Sequence, residues 1–130
     1  MADSIFTKII KGEIPSNKIY EDEKTLAFLN IYPDTPGHTL VIPKKQIDHL
    51  WDLPDEDYRA VMATCKKVAL HLREKLEVVR VGVKVIGEEV PHAHVHLVPF
   101  NTHHEYLNTT PHVGEIDNAA LEEMAQKLAF

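Results

Sequence analysis

The sequence predicts an α+β domain: an antiparallel sheet of about five strands, one long helix, a short helix before the sheet and another after it. Three observations predict it. Tyr58, Val61, Met62, Cys65, Val68, Ala69, Leu72 and Leu76 keep the three-and-four spacing of an amphipathic helix. Several shorter runs have the length and alternation of strands, the first two flanking an acidic turn. Hairpin-linked strands with helices between and after them make an α+β domain with an antiparallel sheet.

The elements follow in order. Residues from Ser4 to Lys11 read as a helix, with Ser4 or Asp3 as N-cap and Gly12 as the stop; Ile5, Phe6, Ile9 and Ile10 form its apolar side. Lys18–Glu21 and Thr25–Asn30 read as strands around Asp22-Glu23-Lys24. Pro33, Pro36 and Gly37 make a tight loop leading into Thr39–Pro43, a short apolar run suited to a strand buried on both faces. The long helix follows Pro54, and Cys65 on its stripe reads as a buried small hydrophobe. Val79, Val81, Val83 and Val85 then alternate with Arg80, Gly82 and Lys84 as in a half-buried strand, which Gly87 breaks. A further strand runs from near Pro91 to Pro99, followed by a loop holding Asn101 to His104. Leu121, Met124, Ala125 and Leu128 mark a final helix capped by Asp117 or Asn118.

Length and composition bound the function. One hundred and thirty residues, 44% hydrophobic and 26% charged, make one globular domain over residues 1–130 rather than a disordered chain. Twenty acidic against 14 basic residues give a net charge of −6, opposite in sign to what a nucleic-acid partner requires. The apolar runs fall far short of a membrane span, and Asp3, Lys8, Lys11 and Glu13 break any signal-peptide core. A cytoplasmic location is expected. The single cysteine excludes an intrachain disulfide and a four-cysteine zinc site.

Histidine is the unusual entry, with nine residues. His92, His94 and His96 alternate with Ala93, Val95 and Leu97, which in a strand puts three imidazoles on one face ~6.6–6.8 Å apart. A fold gains nothing from lining up three rings that repel once protonated. Spacing alone leaves two readings open: a metal site, since His-x-His chelates zinc, copper or iron, and nucleophilic catalysis at phosphorus, with one imidazole attacking and its neighbours assisting.

The flanking residues favour catalysis. SIFTKIIKGEIPSNKIYEDEKTLAF, then FLNIYPDTPGHTLVIPK over Phe28–Lys44, then H-A-H-V-H-L-V, closely resemble the histidine triad family of nucleotidyl hydrolases and transferases, in its Hint-like branch. The resemblance covers about residues 4–99 and leaves 100–130 as a C-terminal extension with a helix. It implies a HIT-like fold with a meander sheet and a hydrolase acting at the α-phosphate of a nucleotide conjugate. The conjugate would be a purine nucleoside phosphoramidate or a dinucleoside polyphosphate, and the reaction would pass through a nucleotidyl-histidine. A nucleotide- or metal-binding module of little activity is the alternative. No cofactor is expected, and a homodimer is.

Roles carry over by the same resemblance. His94 would be the nucleophile, His96 would hold the phosphate oxygens, His38 would position the triad, and His92 would orient it from behind. Ile5, Phe6 and Ile9 would sandwich the base, with Leu29, Asn30 and Ile31 beside the ribose; Asn30 stands where many members have Asp.

Three departures follow. Ser4 and Thr7 replace a Cys-x-x-Cys that holds zinc in some members, leaving His49 and His92 as remnants of that site, so no metal is expected. The loop V-I-G-E-E-V-P-H is short. Glu88 and Glu89 stand where members have Gln and a small residue, and Glu89, at the nucleotide site, either faces outward or serves as a general acid. Lys44 and Lys45 are candidates for attracting an anionic substrate or simple surface residues. His71, His103, His104 and His112 read as surface residues.

Overall fold

The computed structural model describes residues 2–107 and 114–130. Strands β1 (Lys18–Glu21), β2 (Thr25–Leu29), β3 (Thr39–Pro43), β4 (Arg80–Lys84) and β5 (Val95–Phe100) form one antiparallel sheet in the order β1-β2-β3-β5-β4. The first three strands are a meander. The chain then leaves through helix α2 (Asp55–Leu76), returns as β4 at the far edge, and turns back to insert β5 beside β3. Helices α1 (Ile5–Ile10), α3 (His103–Leu107) and α4 (Asn118–Leu128) complete the architecture, with a 3-10 turn at Leu50–Asp52. No helix among the described residues is long and apolar enough to cross a membrane.

Strand alternation divides the core into two layers. Ile19, Ala27, Leu29, Val41, Val95 and Leu97 pack with Val61, Cys65, Val68 and Leu72 of α2 and with Leu121 and Leu128 of α4. The intervening residues Leu26, Phe28, Leu40 and Ile42 face the other way, against Phe6 and Ile9 of α1. Both faces of β3 are therefore buried, as its unbroken apolar run suggests. Burial alone pushes the Cys65 thiol up to about 12, so it is an inert core group.

Capping places the two outer helices. Ser4 Oγ accepts the Thr7 N–H at 3.0 Å, and Asp117 Oδ1 accepts the Ala120 N–H at 3.1 Å. Gly37, just before His38, has φ +89°, and an added Cβ would collide with Leu76. Phe130 N–H donates to Ile19 O at 2.9 Å, tying the C-terminal end to β1.

Four expectations need correction. β5 begins at Val95, because residues 91–94 direct their backbone elsewhere: Ala93 N–H donates to Ile47 O and His92 N–H to Val90 O. β4 is not half-buried: it is the edge strand, Val83 and Val85 are exposed, and Val81 alone of that set packs against the α2 layer. His103 and His104 lie in α3 rather than a loop, though both are exposed; His112 falls outside the described residues. His71 is half-buried and stacks on Phe130 with ring centres 3.9 Å apart.

Candidate active site

Register creates the floor of the site. Phe28 pairs with Leu40, Leu40 with His96, and His96 with Lys84, so one row of side chains crosses β2, β3, β5 and β4. That row lies on the face opposite α2, because Val95 and Leu97 take the other face. Helix α1 roofs it. Phe6 meets Phe28, His92 and His94 edge-on, with ring centres 5.5, 5.8 and 5.1 Å apart. The ring centres of His94 and His96 lie 5.2 Å apart.

Backbone groups settle the proton positions. A carbonyl only accepts, so His94 Nδ1, 2.8 Å from the His92 carbonyl, carries the hydrogen and leaves a lone pair on Nε2. His92 Nε2 donates to the Pro43 carbonyl at 2.8 Å, so its Nδ1 accepts, from Ser4 Oγ at 2.8 Å. An amide only donates, so His38 Nδ1 accepts from the Asp34 N–H at 3.0 Å and its hydrogen sits on Nε2. His38 Nε2 donates in turn to His96 Nδ1 at 3.0 Å, which leaves His96 with an N–H on Nε2.

Electrostatics agrees with this neutral arrangement. Burial holds His96 down to about 3, with His38, His94 and Lys84 pushing the same way and Asp34 opposing. Burial also lowers His92, against the pull of the Pro43 carbonyl. Both rings are neutral at pH 7. The site thus combines an unprotonated ring nitrogen on His94 with a ring donor on His96, a pairing suited to attack on an anionic electrophile.

A cavity of about 580 Å³ opens over this row. Ile5, Phe6, Ile9, Leu29, Asn30, Ile31, Glu89, His38, His94 and His96, all expected from the sequence, line it. His92 does not; it is fully buried behind, against Ser4 and Pro43. Ile5 and Ile31 are 49% and 45% exposed, as cavity walls rather than core. Asn30 is buried, and its Oδ1 accepts the Tyr32 N–H at 2.8 Å. Glu89 is exposed and borders the cavity together with Glu88.

Sequence reasoning missed Asp34 and Lys84. Both line the cavity and form an ion pair at 2.8 Å, beside His38 and His96. Asp34 reads as a turn residue, and Lys84 as the polar side of a strand; only the register of β4 on β5 brings them in. Lys44 and Lys45, the candidates for attracting substrate, instead pair with Glu21 and Asp57 and do not line the cavity. His49 is exposed and outside the polar group around His92, where Gln46 stands in its place: Gln46 Oε1 accepts from Ser4 N–H and Thr7 Oγ1, each at 2.7 Å. His49 therefore takes no part in the polar group around His92.

Comparison with known proteins gives a consistent picture. A family model described as the HIT domain matches residues 11–103. The chain is 37% identical over 128 residues to a HIT-like protein of Methanocaldococcus jannaschii, covering 95% of this chain and 97% of that one. It is 41% identical over 99 residues to an adenosine 5'-monophosphoramidase of Saccharomyces cerevisiae, covering 75% of this chain and 63% of that enzyme. Its fold is similar to the crystal structure of a HIT-like protein from Bartonella henselae, with TM-score 0.85, 34% identity and coverage of 97% and 93%. A zinc-bound histidine triad protein from Mycobacterium smegmatis superposes with TM-score 0.80 and 31% identity, covering 95% and 88%.

The residues around His92 in this chain do not fit zinc. Ser4, Thr7 and Gln46 offer neutral oxygens already engaged in hydrogen bonds, and His92 offers a ring whose two nitrogens are both bonded. Zinc prefers thiolate and imidazole donors. Among the described residues no group of three His, Cys, Asp or Glu is placed to hold a metal. With the family model spanning most of the sequence and close relatives covering nearly all of it, the chain belongs to the HIT domain family.

Proposed function

We propose that the chain is a hydrolase or transferase acting at the α-phosphate of a nucleotide conjugate, a purine nucleoside phosphoramidate or a dinucleoside polyphosphate. The observation that carries this reading is the His94 tautomer: Nδ1–H bound to the His92 carbonyl, Nε2 bare and beside the cavity. The adenosine 5'-monophosphoramidase among the relatives supports the phosphoramidate.

In this reading the base lies between Ile5, Phe6 and Ile9, and the ribose beside Leu29, Asn30 and Ile31. His94 Nε2 attacks the α-phosphorus, and the leaving group departs with the electrons of its bond to phosphorus, giving a nucleotidyl-histidine. The ring gains positive charge as the N–P bond forms, and the His92 carbonyl stabilises it through Nδ1–H. His96 Nε2–H donates to a phosphate oxygen where negative charge builds. Water then attacks phosphorus, releases the nucleoside monophosphate and restores the His94 lone pair. Glu89 stands exposed at the rim of the cavity, which supports the outward-facing reading over the general-acid one.

The experiment is turnover of an adenosine phosphoramidate and a diadenosine polyphosphate, wild type against His94→Ala. Loss on the order of 10³-fold or more in the variant, with nucleotide binding kept, is expected. If the wild type turns over neither substrate, the chain is a binding module instead.

We further infer a homodimer and one domain over residues 1–130. The exposed apolar edge of β4 supports the first, and the burial of Leu121 and Leu128 in the α2 layer supports the second. The free, buried thiol of Cys65 suits a cytoplasmic setting.

A further inference from the structure

An ion pair stands beside the phosphate-facing histidines, at the wall of the same cavity. Lys84 Nζ lies 2.8 Å from Asp34 Oδ2, and the Asp34 side chain is 3% exposed against 24% for Lys84. The same Asp34 presents its backbone N–H to His38 Nδ1 at 3.0 Å, with its carboxylate 3.8 Å from that nitrogen. His38 passes its Nε2–H to His96 at 3.0 Å, and His96 is the direct cross-strand partner of Lys84. The four residues therefore close a ring: β4 to Asp34 in the loop before β3, to His38 at the end of that loop, to β5 and back to β4.

A buried ion pair adds little net stability, since desolvation offsets most of the attraction. Its effect here falls on its neighbours. A carboxylate this close to His38 Nδ1 would draw a proton onto that nitrogen unless another cation satisfied it. Protonation there would expel the Asp34 N–H and charge the His38–His96 pair. Lys84 satisfies the carboxylate, and it also raises the cost of a proton on His96.

We propose that the Lys84–Asp34 ion pair is the positioning element that keeps the His38–His96 pair neutral and oriented, so that His96 offers an N–H to the substrate phosphate. The inference rests on the nucleotidyl-transfer reading of this site. Both residues act through the histidines. The groups facing the pair are Asp34 from the loop before β3, Lys84 from β4, and His94 from the segment before β5, with Asn30 Nδ2 3.5 Å from His38 Nε2 and Tyr32 lining the same cavity from the segment after β2. Glu88 and Glu89 border the same cavity from the β4–β5 connection, and α1 contributes only Ile5, Phe6 and Ile9.

The test reads the histidine rings of the full-length protein by nitrogen-15 NMR, then activity on adenosine phosphoramidate. In the wild type His38 and His96 each show a single tautomer protonated at Nε2, and His96 does not titrate above about pH 5. In Lys84→Met the titration of His96 moves up by about one pH unit or more, and mixed tautomers appear. The expected kinetic effect is a loss of about tenfold or more in kcat with KM within about threefold, because nucleoside contacts are untouched. Lys84→Arg restores both readouts. Lys84→Gln keeps a donor for Asp34 without the charge, so its tautomers stay in place while its titration moves.

A Lys84→Met protein whose His38 and His96 resonances and titration match the wild type overturns the proposal, whatever its activity. If Lys84→Met does not fold, Lys84→Gln decides, and wild-type titration there overturns it. If no nucleotide conjugate is turned over by the wild type, the proposed function fails, and the NMR measurement still decides this inference.

Discussion

The ring of His94 hydrogen-bonds the backbone of His92, two residues earlier in the same chain, with Nδ1 2.8 Å from the His92 carbonyl. That carbonyl is held in turn. The His92 ring is clamped between the Pro43 carbonyl and Ser4 Oγ, and the His92 backbone N–H donates to Val90 O. The first histidine of the triad thus serves the second through its main chain, and its ring serves as the anchor.

Acid should destabilise the fold through these buried rings. His96 ionises at about 3 when folded against an ordinary 6.5, and His92 is lowered in the same direction. Below 6.5 the unfolded chain binds protons that the folded chain refuses, so stability falls as pH drops from about 6.5 toward 3. One such group costs about 1–2 kcal/mol at about pH 5.5. Thermal melts from pH 7.5 to 5 should show a falling Tm, with a shallower slope in His96→Asn. A Tm that stays flat over that range would contradict the assignment.

Ser4→Ala removes two bonds at once, the α1 cap at Thr7 N–H and the donor to buried His92 Nδ1. The cap is worth about 1 kcal/mol and the stranded ring nitrogen about 1–3 kcal/mol. Chemical denaturation should show a combined loss of about 2–4 kcal/mol. A loss within about 0.5 kcal/mol would mean that water or Thr7 replaces the serine without cost.

Chelator should leave the melting curve unchanged, since the Ser4, Thr7, Gln46 and His92 group offers neutral oxygens and one imidazole already bonded at both nitrogens. The converse substitution is more demanding. Ser4→Cys, Thr7→Cys and Gln46→His together supply two thiolates and a second imidazole beside His92. Elemental analysis should then find about one zinc per chain, with a Tm that drops on chelation. Failure to bind would show that these side chains do not converge as their hydrogen bonds imply.

The β4 edge should be where two copies meet. Val83 on β4 is 53% exposed, and Val79 and Ile86, which flank the strand, are 62% and 65% exposed; the strand has one side unpaired within the described residues. Edge strands carrying apolar side chains pair readily. Light scattering at micromolar concentration should report twice the chain mass of 14.8 kDa for the wild type and the single mass for Val83→Lys. A monomeric wild type would remove the dimer.

Much of this site was legible in the linear order of residues. Alternation put His94 and His96 on one side and Val95 and Leu97 on the other, and that holds because extended backbone has a period of two wherever it runs. The stripe on α2 and the caps at Ser4 and Asp117 were legible for the same reason, being set by neighbours within a turn. The exposed valines of β4 and the misplaced start of β5 were not, because burial and pairing depend on which strand lies alongside.

The sequence by itself determined which residues gather at the cavity: His38, His94 and His96, with Ile5, Phe6 and Ile9 as an apolar wall. Only the tertiary structure decided their protonation and their supports. The tautomers of His38 and His92 are set by the Asp34 amide and the Pro43 carbonyl, and Gln46 rather than His49 joins the group behind the triad. Lys84 reaches Asp34 only because β5 inserts between β3 and β4. A hydrogen bond is directional and acts over about 3 Å, so its partners are fixed by packing in space and not by distance along the chain.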